Sequence, residues 1–178
     1  TMTGEFYQLN GDYAGFAQAE LERTHPGAIA LFSTACAGDQ NPNPRSSLEN
    51  AKLHGHELAE AVNATISRKG EPLKGRIQSR FQMIDLPYQA FGRNDFESDL
   101  TSNNKYVVSR AKHVLKMMDN RSISHTLAYP IQAIQLGQAS IVTLGGEVVV
   151  DYCLRLRKET NTPNLFVMAY SNDVMCYI

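Results

Sequence analysis

The chain has 178 residues, 43% of them apolar and 20% charged, with a formal net charge of -1. That length suits a single domain of about 100–200 residues with enough apolar material for a core. The near-neutral balance, with no cationic patch, offers nothing to a nucleic acid, and no run of ~18 apolar residues exists to cross a membrane.

The first periodic segment, 13–23, reads as a helix with Asp12 as N-cap and Thr24-His25-Pro26-Gly27 as terminator. The apolar run 28–33 lies between turn signals and predicts a buried strand. The segment 38–44 is too rich in Gly, Asp, Asn and Pro for regular structure. Ser46 or Ser47 opens a helix to about Ser67, with Leu48, Ala51, Leu58, Ala61 and Val62 mostly on one face. The segment 75–86 alternates as a strand with one wet face, ended by Pro87. Helices follow at 94–100 and 104–118, the second with Val107, Val108, Ala111, Val114, Leu115 and Met118 as its buried stripe. Strands are expected at 126–136 and 140–144, a helix at 147–158, and a last strand at 164–170. Alternating strands and helices predict a layered α/β domain, with the runs 28–33, 131–136, 140–144 and 165–170 in one helix-covered sheet. No repeat or linker interrupts the pattern. The first residues, Thr-Met-Thr-Gly-Glu-Phe, lack the basic start and apolar stretch of a signal peptide. Both ends of the chain read as cut, so partners for the sheet are expected outside these residues.

Three cysteines, Cys36, Cys153 and Cys176, are odd in number and contain no CxxC pair. They predict buried, unpaired thiols rather than a disulfide framework or a thiolate zinc site. Among the histidines, His54 and His56 at i,i+2 fall on different faces of their helix, and the metalloprotease spacing is absent. Both read as surface. His113 reads as solvent-facing, His25 as a turn residue, and His125, just before a strand, is the one left to watch.

Three stretches each follow an expected strand, and strand ends are where α/β sheets assemble their sites. In the first, 35–44, a glycine and two prolines shape a loop bearing Asp39, Asn41 and Asn43. It reads either as a tight turn satisfying its own backbone or as a rigid holder of polar groups. In the second, Gly145-Gly146-Glu147, the carboxylate either complements a helix N-terminus or serves as a ligand for a hard or borderline cation. The third runs from Tyr170-Ser171-Asn172-Asp173 to Tyr177.

Taken in order, Gly38-Asp39-Gln40-Asn41-Pro42-Asn43, Ile134-Gln135-Leu136-Gly137, Leu144-Gly145-Gly146-Glu147 and the segment 172–178 resemble the amidase domain of the neutral, non-lysosomal ceramidases. Gly11-Asp12-Tyr13-Ala14-Gly15 resembles the segment that begins that family's helix after a histidine-bearing strand. The order and approximate spacing agree over nearly the whole chain, which on this resemblance is one partial domain, 1–178, the C-terminal portion of the amidase domain. The resemblance implies a zinc-dependent hydrolase of an N-acyl amide bond, in ceramide or a related sphingolipid or lipid amide. It also implies an extracellular or periplasmic protein.

The family's zinc is held by two histidines, a glutamate and a tyrosine. The last two correspond to Glu147 and Tyr177, and the histidines would precede Thr1. Such a half shell binds zinc poorly by itself, since stable sites need three or four protein ligands. The resemblance places Gly38, Asp39 and Asn41 in the catalytic loop. One departure stands out: the family has a serine nucleophile where this chain has Asn41. An asparagine cannot attack a carbonyl. Either zinc-activated water attacks while Asn41 positions or polarises the carbonyl, or the substrate differs from ceramide. The other reading is a non-catalytic relative that binds a lipid or glycan.

Overall fold

The computed structural model describes residues 6–162 and 164–178. The element order is α1 (Asp12–Thr24), α2 (Leu48–Ile66), β1 (Ile77–Pro87), α3 (Arg93–Asp99), α4 (Lys105–Asp119), β2 (Thr126–Leu136), β3 (Ala139–Leu144), α5 (Val150–Thr160) and β4 (Leu165–Met168). The strands form one four-stranded sheet in the order β1-β2-β3-β4, so the architecture is mixed α/β. Strands β2 and β3 pair antiparallel from Ile131 opposite Leu144 to Leu136 opposite Ala139. Their two-residue turn needs a positive φ at Gly137, +59°, where a Cβ would also come within 2.6 Å of the Lys74 carbonyl oxygen. Strands β3 and β4 are parallel, and helix α5 supplies the crossover that parallel pairing demands.

Two compact units divide the chain: the residues up to Phe81 with Ile131–Ile178, and Gln82–Pro130. In the first, α1 and α2 pack closely because α2 turns a stripe of small residues, Ala51, Gly55 and Ala59, inward. At Gly55 a Cβ would sit 2.5 Å from the Phe16 Cβ and 2.8 Å from the Tyr13 carbonyl oxygen. Ser47 caps α2, its hydroxyl accepting the Asn50 N–H at 3.1 Å. At the start of α1, Asp12 lies one residue inside the helix rather than at the cap, and its carboxylate accepts the Tyr13 N–H at 2.6 Å. The sheet side of this unit buries Cys36, Leu144, Val148, Cys153, Val167 and Ala169. In the second unit, α3 and α4 are tied by Arg110 to Asp99 at 2.7 Å and Arg93 to Asp119 at 2.8 Å. There Ala111 and Leu115 of α4 are buried, and Phe91 stacks on His125 with ring centres 5.6 Å apart. Among the described residues no helix is long and apolar enough to cross a membrane.

Besides Asp12, four local expectations need correction. The run 28–33 is not a strand: only Ala35 bridges Met168, and Thr34 accepts the Ala169 N–H at 3.1 Å. The reason lies in α1, whose Gln18 side chain donates to the Ala30 carbonyl at 2.6 Å and whose Glu22 carboxylate accepts the Ala30 N–H at 3.0 Å. Side chains thus occupy backbone groups that a ladder would use, and Ile29 and Leu31 stay exposed. Strand β1 exists, yet both its faces are largely exposed, so it lacks the dry face that its alternation predicted. Glu147 does not open a helix, since α5 begins at Val150. Cys36 and Cys153 are buried free thiols, but Cys176 is exposed.

Candidate active site

The three loops that follow β3, β4 and the 28–34 segment meet at Glu147. Two glycines make the approach possible. Gly146 has φ +74°, which favours glycine, and a Cβ there would come within 2.6 Å of the Cys176 carbonyl oxygen. Gly38 lies flat on the Glu147–Val148 backbone: its N–H donates to the Val148 carbonyl at 2.9 Å, and a Cβ would fall 2.6 Å from the Glu147 carbonyl oxygen. The 172–178 segment returns alongside Glu147 as a parallel bridge between Glu147 and Tyr177. There the Glu147 N–H donates to the Cys176 carbonyl at 2.8 Å and the Ile178 N–H to the Glu147 carbonyl at 3.1 Å.

The bridge sets the two side chains together. The Tyr177 phenol lies near enough to the Glu147 carboxylate for that group, first as acceptor and then as charge, to hold it above its usual pKa. Tyr177 is nonetheless 68% exposed, so these two oxygen donors stand at the surface of the described residues. Carboxylate and phenol oxygens are donors of the kind that zinc takes.

Asp39 follows Gly38 and accepts the Val150 N–H at 2.9 Å, so it caps α5 in the place expected for Glu147. This hydrogen bond is the main reason its carboxyl lies below the usual range. Asn41, two residues on, is exposed. The far side of the loop is held by His54, whose Nε2 donates to the Pro44 carbonyl at 2.7 Å and whose Nδ1 lies 3.2 Å from Glu57. Those contacts, the Pro44 carbonyl first, raise the His54 pKa.

Two residues of the third candidate stretch, given no individual role in the sequence, stand beside the site. Tyr170 has φ +53° and its phenol is pushed up by burial, then by the charges of Glu147 and Cys36, which places it beside the site. Its position directly after an apolar strand is what marked the stretch in the sequence. Asn172, also at positive φ, donates to the buried Thr143 hydroxyl at 3.1 Å and so pins the returning loop to the end of β3. The Cys36 thiol is pushed up to about 11 by burial and by Cys153, which leaves it protonated and inert near neutral pH.

No protein-family model and no curated protein sequence matches the chain. Solved structures do match. Neutral ceramidase from Pseudomonas aeruginosa superposes with a TM-score of 0.67 at 18% identity, over 99% of this chain and 36% of that one. A ceramidase complexed with C2 gives a TM-score of 0.65 at 16% identity, over 99% of this chain and 38% of that one. The fold is ceramidase-like. At these identities the likeness is one of fold, and the chain spans well under half the length of either ceramidase.

Proposed function

We propose that the chain is part of a zinc-dependent hydrolase that cleaves an N-acyl amide bond in ceramide or a related lipid amide. The observation that carries this reading is the backbone bridge that sets Tyr177 beside Glu147, with the Gly38 backbone pressed against the same residue. Glu147 and Tyr177 would hold the metal together with ligands from elsewhere in the protein. Zinc, when bound, supplies Lewis acidity to water and to the amide carbonyl. The chain's own part is positional. Gly38 and Asp39 fix the start of the loop and His54 fixes its end, leaving Asn41 free to offer its amide N–H to the carbonyl oxygen.

Removing one such donor typically lowers the rate ~10²–10³-fold. In the full-length protein, Asn41→Ala is expected to lower kcat by that factor at unchanged zinc content, while Glu147→Gln is expected to lower zinc content itself. Asn41→Ser restores the hydroxyl that the ceramidase pattern carries and is expected to retain or raise N-acyl hydrolysis. The residue at 41 also favours a second reading, a non-catalytic relative that binds a lipid or glycan. Failure of the wild type, Asn41→Ala and Asn41→Ser to cleave a panel of N-acyl lipids and amides, with zinc bound, would decide for that relative.

A further inference from the structure

On the α1–α2 pair, away from the Glu147 loops in sequence, three metal-ligating side chains converge. His56 and Glu60 are i,i+4 on α2 and so share one helix face, and Glu20 reaches them from α1. One ligand atom from each lies within 4.8 Å of the other two, and His56 Nδ1 is already 3.0 Å and 3.1 Å from the two Glu20 oxygens. We propose that Glu20, His56 and Glu60 form a binding site for a divalent transition-metal cation, zinc above all, that clamps α1 to α2.

The donor set chooses the metal. One imidazole with two carboxylates is a borderline set that suits zinc, cobalt or nickel, whereas calcium and magnesium prefer oxygen alone. Zinc bonds of about 2.0–2.2 Å place tetrahedral donors ~3.3 Å apart, so the His56–Glu20 separation already fits and Glu60 needs only a side-chain adjustment. Three protein ligands leave a fourth position for water. The backbone beneath is fixed, because Gly55, next to His56, lies against Phe16 and Tyr13 of α1 with no room for a Cβ. The site is therefore held by helix packing rather than by a loop. A bare ion pair between His56 and Glu20 is the competing account, and it needs neither Glu60 nor a metal.

The test is zinc titration of the full-length protein, stripped with a chelator, followed by calorimetry and by thermal unfolding. The wild type is expected to bind one equivalent of zinc that His56→Ala and Glu60→Gln both lose, and zinc is expected to raise the unfolding temperature of the wild type more than that of either variant. His56 is 58% exposed, so truncating it leaves no cavity to confuse the reading. Glu147→Gln separates this site from the proposed catalytic one, since it should leave the α1–α2 equivalent in place. Wild-type stoichiometry and affinity in His56→Ala and Glu60→Gln, or no zinc bound by Glu147→Gln, would overturn the proposal. Cobalt substituted for zinc gives a second readout: on the Glu147→Gln background, which leaves only the α1–α2 equivalent, the tetrahedral absorption band should persist, and adding His56→Ala should abolish it.

Discussion

The Asp39 carboxylate accepts the Val150 N–H at the start of α5, and this bond chiefly depresses its pKa below the ordinary 3.8. A depressed folded value means that the charged form stabilises the fold above 3.8 and that the contribution disappears as pH falls through the lower folded value. Asp39→Asn is therefore expected to lower the urea midpoint at neutral pH, with the gap to wild type closing below pH 3.8. A gap that stayed constant with pH would show that the charge is irrelevant to the cap. His54 works with the opposite sign. Its ring faces the Pro44 carbonyl and the Glu57 carboxylate, and donation from both nitrogens requires the protonated form. Its raised folded pKa makes the contribution complete below 6.5 and lost as pH rises through the folded value. Urea unfolding between about pH 5 and pH 9 is the measurement: the wild type should lose stability relative to His54→Ala as pH rises, and parallel curves would rule the contact out.

Helix α2 is built around its glycine, and a pair of glycines in the two helices separates packing from propensity. A Cβ at Gly15 in α1 would meet nothing within 4 Å, so alanine there only removes backbone freedom from the unfolded chain. Gly15→Ala is expected to stabilise by about 0.5–1 kcal/mol. Gly55→Ala gains the same propensity, but its Cβ would lie 2.5 Å from Phe16 and 2.8 Å from a Tyr13 backbone oxygen that cannot step aside alone. The helices must separate, and overpacking of that kind costs about 1–3 kcal/mol, enough to reverse the sign. Equilibrium urea unfolding of the two variants checks both directions. The same close packing carries Glu20 towards His56, so Gly55→Ala should also weaken zinc binding there.

Across the whole molecule, protection should follow pairing and burial. Strand β3 is hydrogen-bonded on both sides, to β2 and to β4, and the first unit buries Leu144, Val148, Leu165 and Val167 beside it. Within Gln82–Pro130, the buried apolar residues among those described are Ala111, Leu115, Tyr129 and Pro130. Native-state hydrogen exchange is expected to find the β3 amides slowest, those of 28–33 fast, and the Gln82–Pro130 unit opening at lower free energy than the unit that holds β3. Slow exchange at Ile29 and Leu31 would mean that a further strand pairs there.

Local chemistry was enough to determine most elements. Of the two serines expected to open a helix, Ser47 caps α2, and the helix expected from residue 104 begins at Lys105 with Asn104 as its cap. The strand expected at 126–136 has the same bounds in the structure, because alternation and a glycine turn are properties of neighbouring residues. Glycine- and asparagine-rich loops likewise marked where a site could form, and the loops bearing Gly38, Glu147 and Tyr177 do come together. What each side chain does there was decided only by tertiary structure. The sequence around Glu147 offers a helix cap or a ligand with equal ease, and the choice rests with Asp39, which reaches Val150 across 111 residues and takes the cap. That leaves Glu147 to pair with Tyr177 through a bridge that neither local sequence contains. The run 28–33 fails as a strand for the same reason. An apolar run permits a strand, but a ladder needs an edge with free donors and acceptors, and Gln18 and Glu22 of α1 had already taken those of Ala30.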